Sequence, residues 1–276
     1  MKLIEKIQSI SLDTYNFYAF LLHLISAIVV IIVFSVLKGE IGYNTTLYAY
    51  RIDTLENDGK DVTFIYGDDG PHIEVSGISL KTLVGVIFFL TAMFHLYYLK
   101  SKFYKREVKS GKNRIRWLEY GITSTIMIFV LCIVAGVKDL YSTLLLTLFN
   151  LVLMSFGYFL EMTPGYSPKL TAVIMGFFVL VVIFSVIYAQ FIQNLIQVQK
   201  DDYEIPSWVY GVMFPMVLWW ASFGIVGVLY LRAYKKGKLN FERYEKYYIL
   251  LSYLSKAFMG YYLIFGLTRD PPERSS

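Results

Sequence analysis

Seven stretches of this chain are apolar for about twenty residues or more, and no other feature restricts its fold as strongly. They lie at 15–37, 82–100, 115–137, 141–162, 169–195, 208–232 and 247–267. A helix rises ~1.5 Å per residue, so ~20 residues cross the ~30 Å hydrocarbon core of a bilayer. Within that core each backbone N–H and C=O must be satisfied inside the protein, which restricts spanning segments to helices or closed barrels. Runs this long and this uniformly apolar are helical. We therefore expect an all-α membrane protein, with 1–276 forming a single seven-transmembrane helix bundle. Composition agrees: 17% of residues are charged, against ~25% in a typical soluble domain. The first run is too long for a signal peptide, and no small-residue cleavage pattern follows it, so it counts as a span. The fifth run is long enough to tilt or protrude. Cys132 is the single cysteine, so no disulfide within the chain shapes the fold.

Charge sets the expected orientation. Seventeen of the 26 lysines and arginines flank the N-terminus and the 101–114, 163–168 and 233–246 connections, and eight flank the opposite side. Lys256 completes the set. The positive-inside rule then predicts an integral membrane protein with its N-terminus cytoplasmic and its C-terminus extracellular. The net charge of +5 records this topology, and no nucleic-acid motif is present. The one large loop, 38–81, falls outside. Within it, "VTFIYGDDGPHIEVSG" reads as two short strands around an Asp-Asp-Gly-Pro turn, a β-hairpin capping the bundle. Asn44 opens an "NTT" glycosylation triplet, and the tail "TRDPPERSS" reads as disordered. No internal repeat and no matched pair of broken helices point to a secondary transporter. No phosphate-binding glycine loop, Cys/His metal cluster or nucleophile elbow points to an enzyme.

Ionisable groups inside spans are costly and mark function. Lys256 lies about nine residues into the seventh span, near the bilayer midplane. It reads either as half of a structural ion pair or as an amine that forms a Schiff base with a carbonyl compound. Both readings need a counter-charge, and Glu119, early in the third span, supplies one. Arg116 lies one turn before Glu119, as a positive-inside anchor, as a second partner of Glu119, or as both. His23 and His95 fall at matching depth in the cytoplasmic halves of antiparallel spans. Together with Glu119 they suggest a polar cavity able to take up a proton; no ligand spacing supports a metal. Ser252, one turn before Lys256, shares its face, whereas Ser255 points elsewhere. Glu161, at the cytoplasmic end of the fourth span, reads as interfacial. In the sixth span Pro215 precedes Trp219 and Trp220, mid-span tryptophans suited to packing on something flat and apolar, or simply to bundle packing. Asn150 and Met154 are i,i+4 neighbours facing the same interior.

A seven-span chain with a seventh-helix lysine and a third-helix carboxylate resembles the retinal-binding rhodopsins. "RWLEY" at 116–120, "SYLSK" at 252–256, His23 and His95, the inverted orientation and the stranded first loop resemble one branch, the heliorhodopsins. The resemblance implies covalent all-trans retinal on Lys256 as a protonated Schiff base, with Glu119 as counterion and Ser252 hydrogen-bonded nearby. It implies a polar, proton-accepting cavity at His23, His95 and Arg116. By helix position and family logic, the retinal pocket would involve Tyr120, Thr123, Asn150, Met154, Phe214, Trp219 and Phe223. The implied function is light sensing without ion pumping and without enzymatic turnover. The implied partners are membrane lipid, a second copy in a homodimer and an unidentified cytoplasmic signalling partner. Arg116 beside Glu119 would hinder cation passage on the cytoplasmic side, and the extracellular half of the spans holds no acidic residue. The competing readings are a light-gated proton channel on the same scaffold, and a colourless membrane protein with a structural Lys256–Glu119 pair.

Overall fold

The structure, a computed structural model, describes residues 10–36, 44–49, 52–57, 62–66, 73–200 and 205–267. The described residues form eight helices: α1 (Leu12–Val36), α2 (Leu80–Lys100), α3 (Lys102–Lys109), α4 (Arg114–Val134), α5 (Leu140–Met162), α6 (Tyr166–Lys200), α7 (Ser207–Lys235) and α8 (Phe241–Leu267). All but α3 are long and apolar enough to cross a membrane. The bundle is a closed ring in which α1 packs on α2 and α8, α2 on α4, and α4 through α8 each on the next. The expected tail segment, 268–276, lies outside the described residues.

Local chemistry sets the helix ends. Ser79, Asn113 and Asp139 are N-caps whose side chains accept from the backbone N–H of Thr82, Arg116 and Ser142. Such a cap satisfies one of the donors that a first turn leaves orphaned. Gly136 takes φ 80° just past α4, a left-handed conformation that glycine adopts without penalty, and the chain turns directly into α5. Ser101 serves two helices at once: its N–H donates to Tyr97 at the end of α2, and its hydroxyl accepts from Tyr104 at the start of α3.

The strands are β1 (Asn44–Ala49), β2 (Ile52–Asn57), β3 (Val62–Tyr66) and β4 (Ile73–Ser79). The two strands expected from the sequence exist as β3 and β4, but they are not each other's partners. β3 pairs antiparallel with β2, and β4 pairs antiparallel with β1, so one hairpin nests inside an outer pair. The sequence around Asn44 and Ile52 lacks a long alternating run, so its strands were not visible without their partners. β4 runs straight into α2, and the Tyr48 N–H donates to the Lys138 carbonyl at 2.9 Å, tying the strands to the α4–α5 link. We call this the sheet end and the opposite one the basic end.

Two helices differ from their apolar runs in a way that matters. α1 begins at Leu12, and α8 begins at Phe241, six residues before the hydropathy boundary. The early start of α8 brings Glu245 and Lys246 inside a helix, and both are buried. Toward the sheet end the interior is a continuous apolar core that includes Phe88, Ile128, Leu131, Ile183, Val212, Met213, Met216 and Leu263. The outer faces carry Ile31, Leu145, Phe178, Leu218 and other exposed apolar side chains, the surface expected where the surrounding solvent is lipid.

Candidate functional site

Lys256 and Glu119 are both buried, 3% and 1% exposed, and they meet. The Lys256 side chain leans back along α8 toward the N-terminus, as helical side chains do. Its Nζ donates to Ser252 Oγ at 2.7 Å and to Glu119 Oε1 at 3.2 Å. The other carboxylate oxygen accepts from the Tyr98 hydroxyl of α2 at 2.9 Å. Tyr120 places its ring 5.4 Å below the ammonium, close enough for a cation–π contact. Thus α2, α4 and α8 all hold one charge pair. A buried pair is tolerable only when its remaining hydrogen-bonding capacity is used, and Ser252 and Tyr98 do this here. Ser255 was expected to face away. It instead donates to the Ser252 carbonyl at 3.2 Å and lines the same cavity as Lys256.

His23 and His95 do come together. Their rings stack 5.7 Å apart at 9°, with Tyr253 edge-on to His23 and Tyr98 edge-on to His95. His95 Nδ1 lies 2.8 Å from Asn16 Oδ1, so the hydrogen-bond pattern puts the proton on Nδ1. Asn16 in turn donates to the Tyr104 hydroxyl at 3.1 Å, and Tyr104 donates to Glu245 at 3.3 Å. Tyr104 stands on α3, and burial pushes its phenol above the ordinary tyrosine range, opposed by the Asn16 hydrogen bond.

Arg116 does not share Glu119. Its guanidinium is paired with Glu161 of α5 and Glu245 of α8, and it stacks 4.3 Å over the Tyr248 ring. Asn113 reinforces both acids: its N–H donates to Glu161 at 3.0 Å and its side chain to Glu245 at 2.7 Å. Glu161 is therefore a buried partner of Arg116 and not an interfacial group. The i,i+3 spacing of Arg116 and Glu119 suggested a pairing, but the guanidinium extends toward the basic end, where two carboxylates wait. Glu245 was missed because hydropathy placed it in a loop. A charged residue followed by an apolar run is a sign of such extensions, though a weak one.

Lys256 opens into an apolar cavity bounded by α4, α5, α6, α7 and α8. Its empty volume, counting space open to the surroundings, is about 830 Å³. Of the expected pocket residues, Tyr120, Thr123, Met154 and Phe223 line it. Three others do not. Phe214 is 56% exposed and stacks on Tyr188 and Tyr210 at the outer face. Trp219 packs against Phe258, and its neighbour Trp220 faces the cavity instead. Asn150 stands behind the wall: it donates to Ser124 and Thr125 and accepts from Trp220 Nε1 at 3.4 Å. Trp117, Phe177, Gly157 and Gly224 belong to the lining and were not singled out from sequence.

The cavity suits a long, flat, apolar molecule carrying one group that reacts with an amine. Its walls are mostly aromatic and aliphatic, and its cationic end is Lys256. A Cβ on Gly224 would come 2.6 Å from Phe177, and one on Gly157 would overlap the Trp117 indole. These two glycines keep both rings back and the cavity open. Retinal fits such a site: Lys256 would hold its carbonyl carbon, and Trp117, Tyr120, Trp220 and Phe223 would flank its chain.

The heliorhodopsin family model matches residues 12–268. The transmembrane domain of the Salpingoeca rosetta rhodopsin phosphodiesterase superposes with a TM-score of 0.65 at 10% identity, covering 92% of this chain and 83% of that one. A structure of the same protein's transmembrane domain with its linker region gives 0.63 at 10% identity, covering 92% and 70%. At such identity these two matches speak for the rhodopsin fold alone. No curated protein matches the sequence.

Proposed function

Because this chain belongs to the heliorhodopsin family of retinal-binding photoreceptors, we propose that it is a light sensor in which Lys256 carries all-trans retinal as a protonated Schiff base and Glu119 is the counterion. The observation that carries this reading is the Lys256–Glu119 contact at 3.2 Å, at the polar end of a cavity lined by aromatic and aliphatic side chains. Bound retinal supplies light absorption and a change of shape. The residues supply the rest. Glu119 holds positive charge at Nζ, and Tyr98 and Ser252 fix the geometry of that contact. Displacing the nitrogen from Glu119 removes its charge partner and frees its proton.

The arrangement favours reception of that proton on the basic side. Glu119, Tyr98, the stacked His23 and His95, Asn16, Tyr104 and Glu245 form a polar series leading to the basic end. We read that end as cytoplasmic from the distribution of basic residues. Among the described residues, no buried Asp, Glu, Lys, Arg or His lies on the sheet side of Lys256. A proton released from Nζ therefore has acceptors on one side only, which suits signalling through a shape change over conduction across the bilayer.

The test is an absorption spectrum of the membrane fraction after adding all-trans retinal, with Lys256→Ala alongside. A visible band in the wild type that the variant lacks supports the proposal. No band in either, from protein that is folded and membrane-inserted, overturns it and leaves Lys256–Glu119 as a structural ion pair.

A further inference from the structure

We propose that α3 is a docking helix for anionic phospholipid headgroups at the basic end of the bundle. α3 has eight residues and is separated from the end of α2 by Ser101 alone. It therefore sits at the mouth of a span, at the depth where headgroups lie. One face is built into the protein. Tyr104 and Glu107 are buried there, and Tyr104 is fastened by its bonds with Asn16 and Glu245. The opposite face carries Lys102, Arg106 and Lys109, all exposed. Spacings of four and seven residues put these three within about 60° of one another around the helix. Phe103, 37% exposed, stands beside them.

Among the described residues, no carboxylate is paired with Lys102, Arg106 or Lys109. Glu107, the only acid on α3, is turned inward and accepts from the Arg114 N–H at 2.8 Å, with the Arg114 side chain at 3.2 Å. Asp13 is engaged by Lys105 at 2.7 Å. A basic residue at the end of a span needs no explanation beyond topology. A rigid helix is a different matter. It presents three cations on one face, with an aromatic at their edge and its only carboxylate buried. Basic amphipathic helices of this kind bind anionic membrane surfaces. The lipid is favoured over an acidic protein segment because the helix lies beside a membrane span and exposes Phe103 at the same level.

The experiment is native mass spectrometry of the purified full chain, released from detergent with equal amounts of phosphatidylglycerol and phosphatidylcholine. The variant is Lys102→Gln/Arg106→Gln/Lys109→Gln, and the control is Lys235→Gln/Lys236→Gln/Lys238→Gln at the end of α7 and on the α7–α8 link. Each basic residue near an anionic surface strengthens binding roughly five-fold. The wild type is expected to retain phosphatidylglycerol at least about ten-fold over phosphatidylcholine. The α3 variant should lose that preference and the control should keep it. Equal retention of both lipids by the wild type overturns the proposal, as does an unchanged preference in the α3 variant. Full displacement of the lipid by millimolar inorganic phosphate also overturns it, showing a free-anion site. Should the α3 variant fail to fold, salt decides on the wild type: loss of preference between about 0.1 and 1 M supports the proposal, because exposed charges are screened over that range, and persistence overturns it.

Discussion

At the residue scale, the site is a single positive charge with a graded negative environment. Glu119 offers one oxygen to Lys256, and Tyr98 holds the other. A hydrogen bond to the far oxygen draws electron density from the one facing the nitrogen. Tyr98→Phe should therefore strengthen the counterion and move the visible band of the retinal-bound protein to shorter wavelength. Glu119→Gln removes the charge and should move the band to longer wavelength, when measured at a pH acidic enough for the nitrogen to keep its proton. Absorption spectra of the two variants check this, and shifts of the same sign would contradict Glu119 as counterion. This part of the site was legible in the sequence because charged groups are rare in spans, and a serine four residues before a lysine must share its face. The aromatic wall was less legible. Trp219 and Trp220 differ by ~100° around α7, and in a helix containing Pro215 nothing short of its packing decides which one faces inward.

At the element scale, the basic ends of α4, α5 and α8 are joined by one guanidinium and two carboxylates. Arg116 is 1% exposed, Glu161 7% and Glu245 1%, so the ions are shielded from solvent and depend on one another. Removing one member of a buried ion cluster leaves the others uncompensated, at a cost of about 3–5 kcal/mol. Arg116→Met should lower thermal stability in detergent by that order, and adding Glu161→Gln and Glu245→Gln should recover most of the loss. Melting curves of the single and triple variants check it; equal stability of Arg116→Met and wild type would show that the cluster holds nothing together. The seven spanning helices were legible, but α3, inside what the sequence read as the 101–114 connection, and this lock were not. Hydropathy ends a helix where the apolar run ends, whereas α8 continues to Phe241 because Glu245 and Lys246 are buried and Glu245 has partners in Arg116, Asn113 and Tyr104. The strands show the same limit in another form. β3 and β4 were visible as segments, but their pairing depends on β1 and β2, whose alternation is too short to be read alone.

At the scale of the whole molecule, the interior is divided along the membrane normal. The basic half contains the stacked histidines, Asn16, Tyr104 and the Arg116 cluster. The sheet half is mostly apolar, methionine, isoleucine, leucine, valine and phenylalanine side chains packed into one core, with Thr143 and the Asn150–Ser124–Thr125 group as separate polar spots. Moving a proton across the bilayer needs hydrogen-bonding groups or water along the whole path, and the packed apolar side chains of the sheet half interrupt it between those spots. Opening such a path would mean separating Met213, Met216 and Leu263 from Ile128 and Leu131, which costs far more than shifting polar side chains within the basic half. Continuous illumination of cells expressing the protein with retinal should therefore give no sustained photocurrent at any holding potential, while flash spectroscopy still shows a deprotonated, blue-shifted intermediate. A steady current whose reversal potential follows the proton gradient would show that the sheet half opens in the light, and would replace the sensor by a light-gated proton channel on the same helices.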